Sequence, residues 1–290
     1  MTRGERYRRY SRERPPKRGR TVLWLVLIVV MAGAVGLALA RDAFEDDGAA
    51  PSAEVSTAPA QRLLIREGLR REDVAELLEA ETVIPGERYL ALTGAGARGR
   101  SLAHTGTATS LEGFLFPATY EISTTTTAQD LVDEQVEAYQ ANTSAIDYSY
   151  ARSKNLTRYD VLIIASLVER EVAVARERPI VAGVIYNRLK AGMRLDIDAT
   201  VQYAVGEWKP ELSVSDLATD SPYNTRRYTG LPPGPIASPG ADSIRAAARP
   251  ARSGYLYYVA RNDGTGRHFF ATTAEQFEAD VARSRANAGG

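Results

Sequence analysis

From Val161 to Val168 the sequence reads Val-Leu-Ile-Ile-Ala-Ser-Leu-Val, with Asp160 before it and Glu169-Arg170-Glu171 directly after it. A helix that is apolar on every side is a buried helix. A helix starting from an Asp160 N-cap is therefore the element against which other segments must pack. The run ends on a charged triplet with no turn signal between, which puts carboxyls on the last turn of a buried helix. On a 3.6-residue period Glu169 shares its face with Leu162, Ala165, Ser166, Val172 and Ala173. In so small and apolar a setting the ionised form is disfavoured, and a carboxyl can stay protonated as a general acid must. Pairing with Arg170 or Arg176 is the competing role. Glu171 is surrounded in the same way by Leu167, Val168, Val174 and Ala175, so periodicity leaves both carboxyls open.

The segments that follow are polar and ring-rich. Leu195-Asp-Ile-Asp-Ala199 carries Asp196 and Asp198. Hydrolysis of a sugar bond takes two carboxyls, and Asp198 is the partner available to Glu169, unless it bonds locally toward Thr200. Tyr203, Trp208, Tyr223, Tyr228, Tyr255, Tyr257 and Tyr258 are rings that either pack in a core or stack on sugars with their polar tips free. Asn187, Gln202 and Thr225 add amide and hydroxyl groups suited to acetamido sugars. The loop from Gly230 to Gly240 holds four prolines and three glycines, stiff enough to floor a groove or to serve as a connector. Taken together these features describe a site that binds a polar polymer and performs acid chemistry on it.

The chain begins with a basic tail, residues 1–20, with nine Arg or Lys against two Glu. Residues 21–40 carry no charge and are almost wholly apolar. Twenty helical residues span about 30 Å, one hydrocarbon core, and the basic flank before them places the N-terminus in the cytoplasm. The expectation is a single-pass anchor in the cell membrane with everything after Ala40 extracytoplasmic. Cleavage after Ala38-Leu39-Ala40 is the alternative, although signal-peptide cores are shorter. Residues 41–61 read as a linker.

Beyond it, residues 62–65 read as a strand, 72–78 and 87–92 as helices, and 94–109 as a loop. Leu111-Glu-Gly-Phe-Leu-Phe-Pro117 and Thr119-Tyr-Glu-Ile122 are β-prone, either core strands bent at Pro117 or a groove wall. Residues 128–140 form a helix capped by Thr125 to Thr127. Residues 242–248 form a short helix. Residues 255–260 and 268–271 form a hairpin around Asn262-Asp-Gly-Thr-Gly266, and a last helix runs from 274 to about 285 behind a Thr273 cap. The domain reading is a small N-terminal subdomain at 62–110 and a catalytic domain at 111–286, α+β in class.

Absences narrow the chemistry. There is no cysteine and net charge is zero, so disulfides and thiol nucleophiles are out. His104 and His268 are too few for an ordinary zinc site. No G-x-S-x-G elbow, P-loop, dinucleotide fingerprint or H-E-x-x-H occurs. Neither a metal nor a cofactor is expected, and nothing beyond the basic tail points to nucleic acid.

The blocks Ile164-Ala-Ser-Leu-Val-Glu-Arg-Glu171, Val184-Ile-Tyr-Asn-Arg-Leu189, Gly192-Met-Arg-Leu195, Asp198-Ala-Thr-Val-Gln-Tyr203, Tyr223-Asn-Thr225, Gly230-Leu-Pro-Pro-Gly-Pro-Ile236 and Tyr255-Leu-Tyr-Tyr-Val259 occur in the order seen in a known family. With Leu111-Glu-Gly-Phe-Leu-Phe-Pro117 upstream, the chain resembles the YceG-like endolytic murein transglycosylases from about residue 111 to 277. The resemblance implies a mixed α/β catalytic domain behind one membrane anchor, acting on nascent peptidoglycan in cell wall assembly. It implies Glu169, not Glu171, as the catalytic acid, and Asn187, Asp198, Thr200, Gln202, Tyr203, Tyr223, Asn224 and Thr225 as substrate-binding residues. It implies a lyase that leaves 1,6-anhydro ends, with peptidoglycan synthases and the elongation or division machinery as partners. A non-catalytic murein-binding scaffold and a two-carboxylate muramidase are the other readings. The family's LysM-like subdomain looks reduced or lost here: only one strand–helix unit, 62–78, is legible, and Leu69-Arg-Arg71 stands where a Ser or Thr cap is usual.

Overall fold

The computed structural model describes residues 60–95 and 110–289, which belong to one compact unit. The basic tail, the apolar span of residues 21–40, most of the linker and residues 96–109 with His104 lie outside the described residues. Among the described residues no helix is long and apolar enough to cross a membrane.

Two apolar clusters organise the chain. The first is built by β1 (Gln61–Leu64), α1 (Arg71–Glu81), α2 (Gly86–Thr93), β2 (Thr119–Ile122) and α3 (Ala128–Thr143). β1 and β2 pair antiparallel with Leu63 opposite Tyr120. Leu63, Ile65, Val74, Leu78, Ile84, Tyr89, Leu115, Tyr120 and Leu131 form its core. The N-terminal unit is thus a closed strand–helix–helix–strand arrangement, in which the β-prone segment at 119–122 is the second strand. Its pairing with β1 was not legible because it lies 55 residues downstream of its partner in the register Leu64↔Thr119. Its core also runs past residue 110 into α3, so packing draws no boundary there.

α1 lacks a Ser or Thr cap but has substitutes. Asp73 accepts the Arg70 N–H at 2.8 Å, and Glu112 accepts the Arg71 N–H at 3.4 Å. Glu112 is 2% exposed, with the Arg71 Nε 3.7 Å away and one carboxylate oxygen unpaired. Burial pushes its carboxyl up to about 8. An acid raised in the fold holds its proton longer than in the unfolded chain. The stability it contributes is full below about pH 4.5 and is lost as pH rises toward 8. Chemical denaturation of Glu112→Gln at the two ends of that window should show a gain at pH 8 that exceeds any at pH 4.5 by about 4 kcal/mol. Equal differences at both ends would contradict the assignment.

The second cluster surrounds α5 (Arg158–Glu171), in which every residue from Tyr159 to Val168 except Asp160 is buried. α4 (Ser149–Ser153), α6 (Arg178–Ala191), α7 (Asp198–Val205), α8 (Val214–Leu217), α9 (Ala241–Ala248), the hairpin β3 (Tyr257–Ala260) and β4 (His268–Ala271), and α10 (Ala274–Ala288) complete the chain. Thr157, not Asp160, caps α5. The Thr157 hydroxyl accepts the Asp160 N–H at 3.1 Å, and Asp160 accepts the Thr157 N–H at 2.8 Å, a capping box with Asp160 at its third position. α7 was not legible as a helix, because only Gly206, left-handed at φ 88°, marks its stop.

The segment 111–117 is neither of the strands expected. It is a buried turn, closed by Phe114 N–H to Leu111 C=O at 2.9 Å, with Gly113 at φ +83°. Leu111 and Leu115 enter the first cluster. Phe114 enters the second and stacks on Tyr159 with centroids 5.9 Å apart. This turn stitches the two clusters together.

Candidate active site

Glu169 stands on the last turn of α5, at the edge where the two clusters meet. Its side chain is 6% exposed. One carboxylate oxygen accepts the Gly240 N–H at 3.0 Å; the other lies 3.4 Å from the Arg178 guanidinium. The apolar setting expected from helix arithmetic is therefore corrected: the residues that reach the carboxylate come from other elements and are polar. Arg178 opens α6, nine residues on and past the end of the helix, where a 3.6-residue period has no reach. Arg170, one of the two pairing candidates, turns away, donating to the Gly68 C=O at 3.1 Å and lying over Trp208 at 3.8 Å.

The loop 230–240 is held to α5 and to the N-terminal unit. The buried Ser166 hydroxyl accepts the Ile236 N–H at 3.1 Å. Gly68 N–H donates to Ser238 C=O and Ser238 N–H to Leu69 C=O, each at 2.9 Å. Trp208 Nε1 donates to Asp73 at 3.0 Å. An open groove of about 530 Å³ results, lined by Leu64 at the end of β1 and Ile65, Arg66 and Glu67 after it, by Pro117, Ala118 and Thr119, and by Glu169. The N-terminal unit thus supplies most of the wall facing the candidate acid, a contribution with no signal in the sequence beyond the adjacent Glu67-Gly68.

The other expected site residues are placed differently. Asp198 pairs with Arg226 at 2.6 Å, its side chain 58% exposed. Thr200, Asn224 and Thr225 are buried at 0%, 0% and 2%. Thr200 and Thr225 share a hydroxyl bond at 2.9 Å, and the Asn224 amide donates to the Leu217 and Thr219 carbonyls. Asn187 donates to the Ser253 and Tyr255 carbonyls, both at 2.8 Å, and Gln202 donates to Lys209 C=O at 2.9 Å. Their polar groups hold α6, α7 and the following loops in place. The Tyr203 and Tyr223 rings lie 4.8 Å apart, and the Tyr223 hydroxyl, with that of Tyr159, faces Gly234.

Glu171 points to the hairpin. It accepts the Tyr258 hydroxyl at 2.9 Å, and burial raises its carboxyl, the Asp198 charge adding to that. The carboxyls of Glu169 and Glu171 therefore serve opposite sides of one helix end. Among the described residues no three His, Cys, Asp or Glu side chains come together as a metal-holding set.

Residues 47–283 match the YceG-like family. The chain belongs to that family. It is 42% identical over 178 residues to a protein of Streptococcus pneumoniae strain R6 named endolytic murein transglycosylase, a match covering 59% of this chain and 32% of that protein. It is 42% identical over 156 residues to the protein of the same name in Bacillus subtilis strain 168, covering 53% and 43%. The matched region is thus less than half the length of either relative. The crystal structure of a yceG-like protein from Listeria monocytogenes superimposes with a TM-score of 0.66 at 32% identity, over 77% of this chain and 76% of that one. The Listeria protein thus shares the mixed α/β fold seen here.

Proposed function

We propose that this YceG-like chain is a membrane-anchored endolytic transglycosylase. It cleaves the bond between N-acetylmuramic acid and N-acetylglucosamine in peptidoglycan strands and leaves 1,6-anhydro ends. The observation that carries the reading is the Glu169 carboxyl, nearly buried yet lining an open groove, with its orientation fixed by Gly240 and Arg178. An open groove suits entry of a strand from its side. The names of the Streptococcus and Bacillus relatives favour the same chemistry.

In this mechanism Glu169 protonates the leaving glycosidic oxygen. As a carboxylate it then takes the proton of the muramic C6 hydroxyl, which closes on C1. The nucleophile belongs to the substrate, so proximity supplies much of the rate and no residue needs to activate water. Arg178 and the Gly240 N–H hold the Glu169 carboxyl in place for both steps. Asp198, paired with Arg226, is left without a role in proton transfer. Digestion of purified peptidoglycan, with mass spectrometry of the ends produced, tests the assignment.

The anchor at residues 21–40 places the reaction on the outer face of the cell membrane, close to synthases and to the elongation or division machinery. Carbonate-washed membranes should retain the protein. Release of a soluble form starting at Arg41 would show cleavage after Ala40 instead.

A further inference from the structure

We propose that Glu67 is a positioning residue for the Glu169 site: it divides the Arg178 charge between two carboxylates, so that the N-terminal unit sets part of the electrostatics of proton transfer. The inference rests on the transglycosylase reading above. Arg178 Nη2 lies 3.4 Å from Glu169 and 3.8 Å from Glu67, so one guanidinium serves both acids. Glu67 also lines the groove.

Its placement is built into the backbone. Gly68 and Leu69, immediately after it, are hydrogen-bonded to Ser238 in both directions, and Arg170 holds the Gly68 carbonyl. Gly240 gives an independent sign. Its backbone, at φ −72° and ψ 166°, is open to any residue, so the conformation does not call for glycine. A Cβ at 240 would overlap the Glu67 carboxylate, a half-exposed group that would have to move aside. The residue whose N–H orients Glu169 is thus also the one that makes room for Glu67.

The charged groups around the pair are Arg178 from α6, Asp242 from α9, Arg170 on α5 itself and Arg66 beside Glu67. Desolvation first, then the Glu169 and Asp242 charges, raise the Glu67 carboxyl, against Arg178. The chemistry uses one carboxyl first as acid and then as base, and Arg178 and the Gly240 N–H both reach it. A second carboxylate on the same guanidinium divides that cationic contact without touching the substrate bond.

The test is the pH profile of peptidoglycan cleavage by the full chain, for wild type, Glu67→Gln, Glu67→Asp and Gly240→Ala. In Glu67→Gln the alkaline limb of kcat should move to lower pH by about one unit. The rate above that limb then falls about tenfold, the rate at acid pH approaches wild type, and KM changes less than about twofold. Glu67→Asp should restore part of the shift. Gly240→Ala, whose methyl displaces the Glu67 carboxylate, should reproduce it. A Glu67→Gln profile that keeps its shape overturns the proposal, whether the rate is unchanged, lowered equally at every pH, or changed only through KM. A wild-type protein that cleaves no glycan removes the transglycosylase reading itself, and with it this role for Glu67.

Discussion

Glu169→Gln should end glycan cleavage and leave the protein folded. The amide can still accept the Gly240 N–H that Glu169 accepts at 3.0 Å, but it cannot give up a proton at the glycosidic oxygen. Loss of general acid catalysis alone costs about 10²–10⁴-fold, and the same group is needed again as the base. Stability should change by about 1 kcal/mol or less, because Arg178 keeps Glu67 as a partner at 3.8 Å and is not left as an uncompensated charge. Asp198→Asn is the comparison. It removes an exposed ion pair with Arg226, worth about 1 kcal/mol at most, and should leave most of the cleavage rate. Initial rates on purified peptidoglycan, with circular dichroism of both variants, check this. A Glu169→Gln protein retaining more than about a hundredth of the wild-type rate would remove Glu169 from the mechanism.

The largest effect on stability is expected at Gly113→Ala. Gly113 has φ +83°, and a Cβ there would stand 2.7 Å from both Cβ and Cγ of Pro235 and 3.4 Å from the Leu162 side chain. The left-handed conformation costs a non-glycine residue about 1 kcal/mol, and overpacking between two closed segments costs about 1–3 more. The sum, about 2–4 kcal/mol, corresponds to a fall in Tm of roughly 5–15 °C for a chain of this size. Cleavage should fall as well, because the displaced Pro235 belongs to the loop that carries Ile236 onto Ser166 and Gly240 onto Glu169. A Tm within about 2 °C of wild type would mean that the turn at 111–117 does not stitch the two clusters together.

What could be read from the sequence follows a physical division. Periodicity found α5, α3 and the hairpin because their apolar spacing is local, and turn residues placed β4 at His268–Ala271. Local patterns say nothing about which distant segments meet. β1 and β2 pair across more than fifty residues, so the N-terminal unit looked like a fragment. Arg178 and Gly240 reach Glu169 from α6 and from the loop before α9, so the carboxyl looked apolar in its surroundings. The amides and hydroxyl of Asn187, Gln202 and Thr225 suggested sugar contacts by their chemistry alone, whereas in the fold they bond to backbone groups. The choice of Glu169 over Glu171 came from the family resemblance. In the fold Glu169 lines the groove and Glu171 bonds to Tyr258.

Whether the reaction is intramolecular can be decided by the ends it leaves. Wild-type protein incubated with uncrosslinked glycan strands should produce fragments that end in 1,6-anhydro-N-acetylmuramic acid and resist borohydride reduction, as mass spectrometry would show. Internal cuts should shorten long strands before small products accumulate. Reducing muramic acid ends would contradict this account. They would require a carboxylate that activates water, and Glu67, which shares Arg178 with Glu169, would then be the group to examine in place of Asp198.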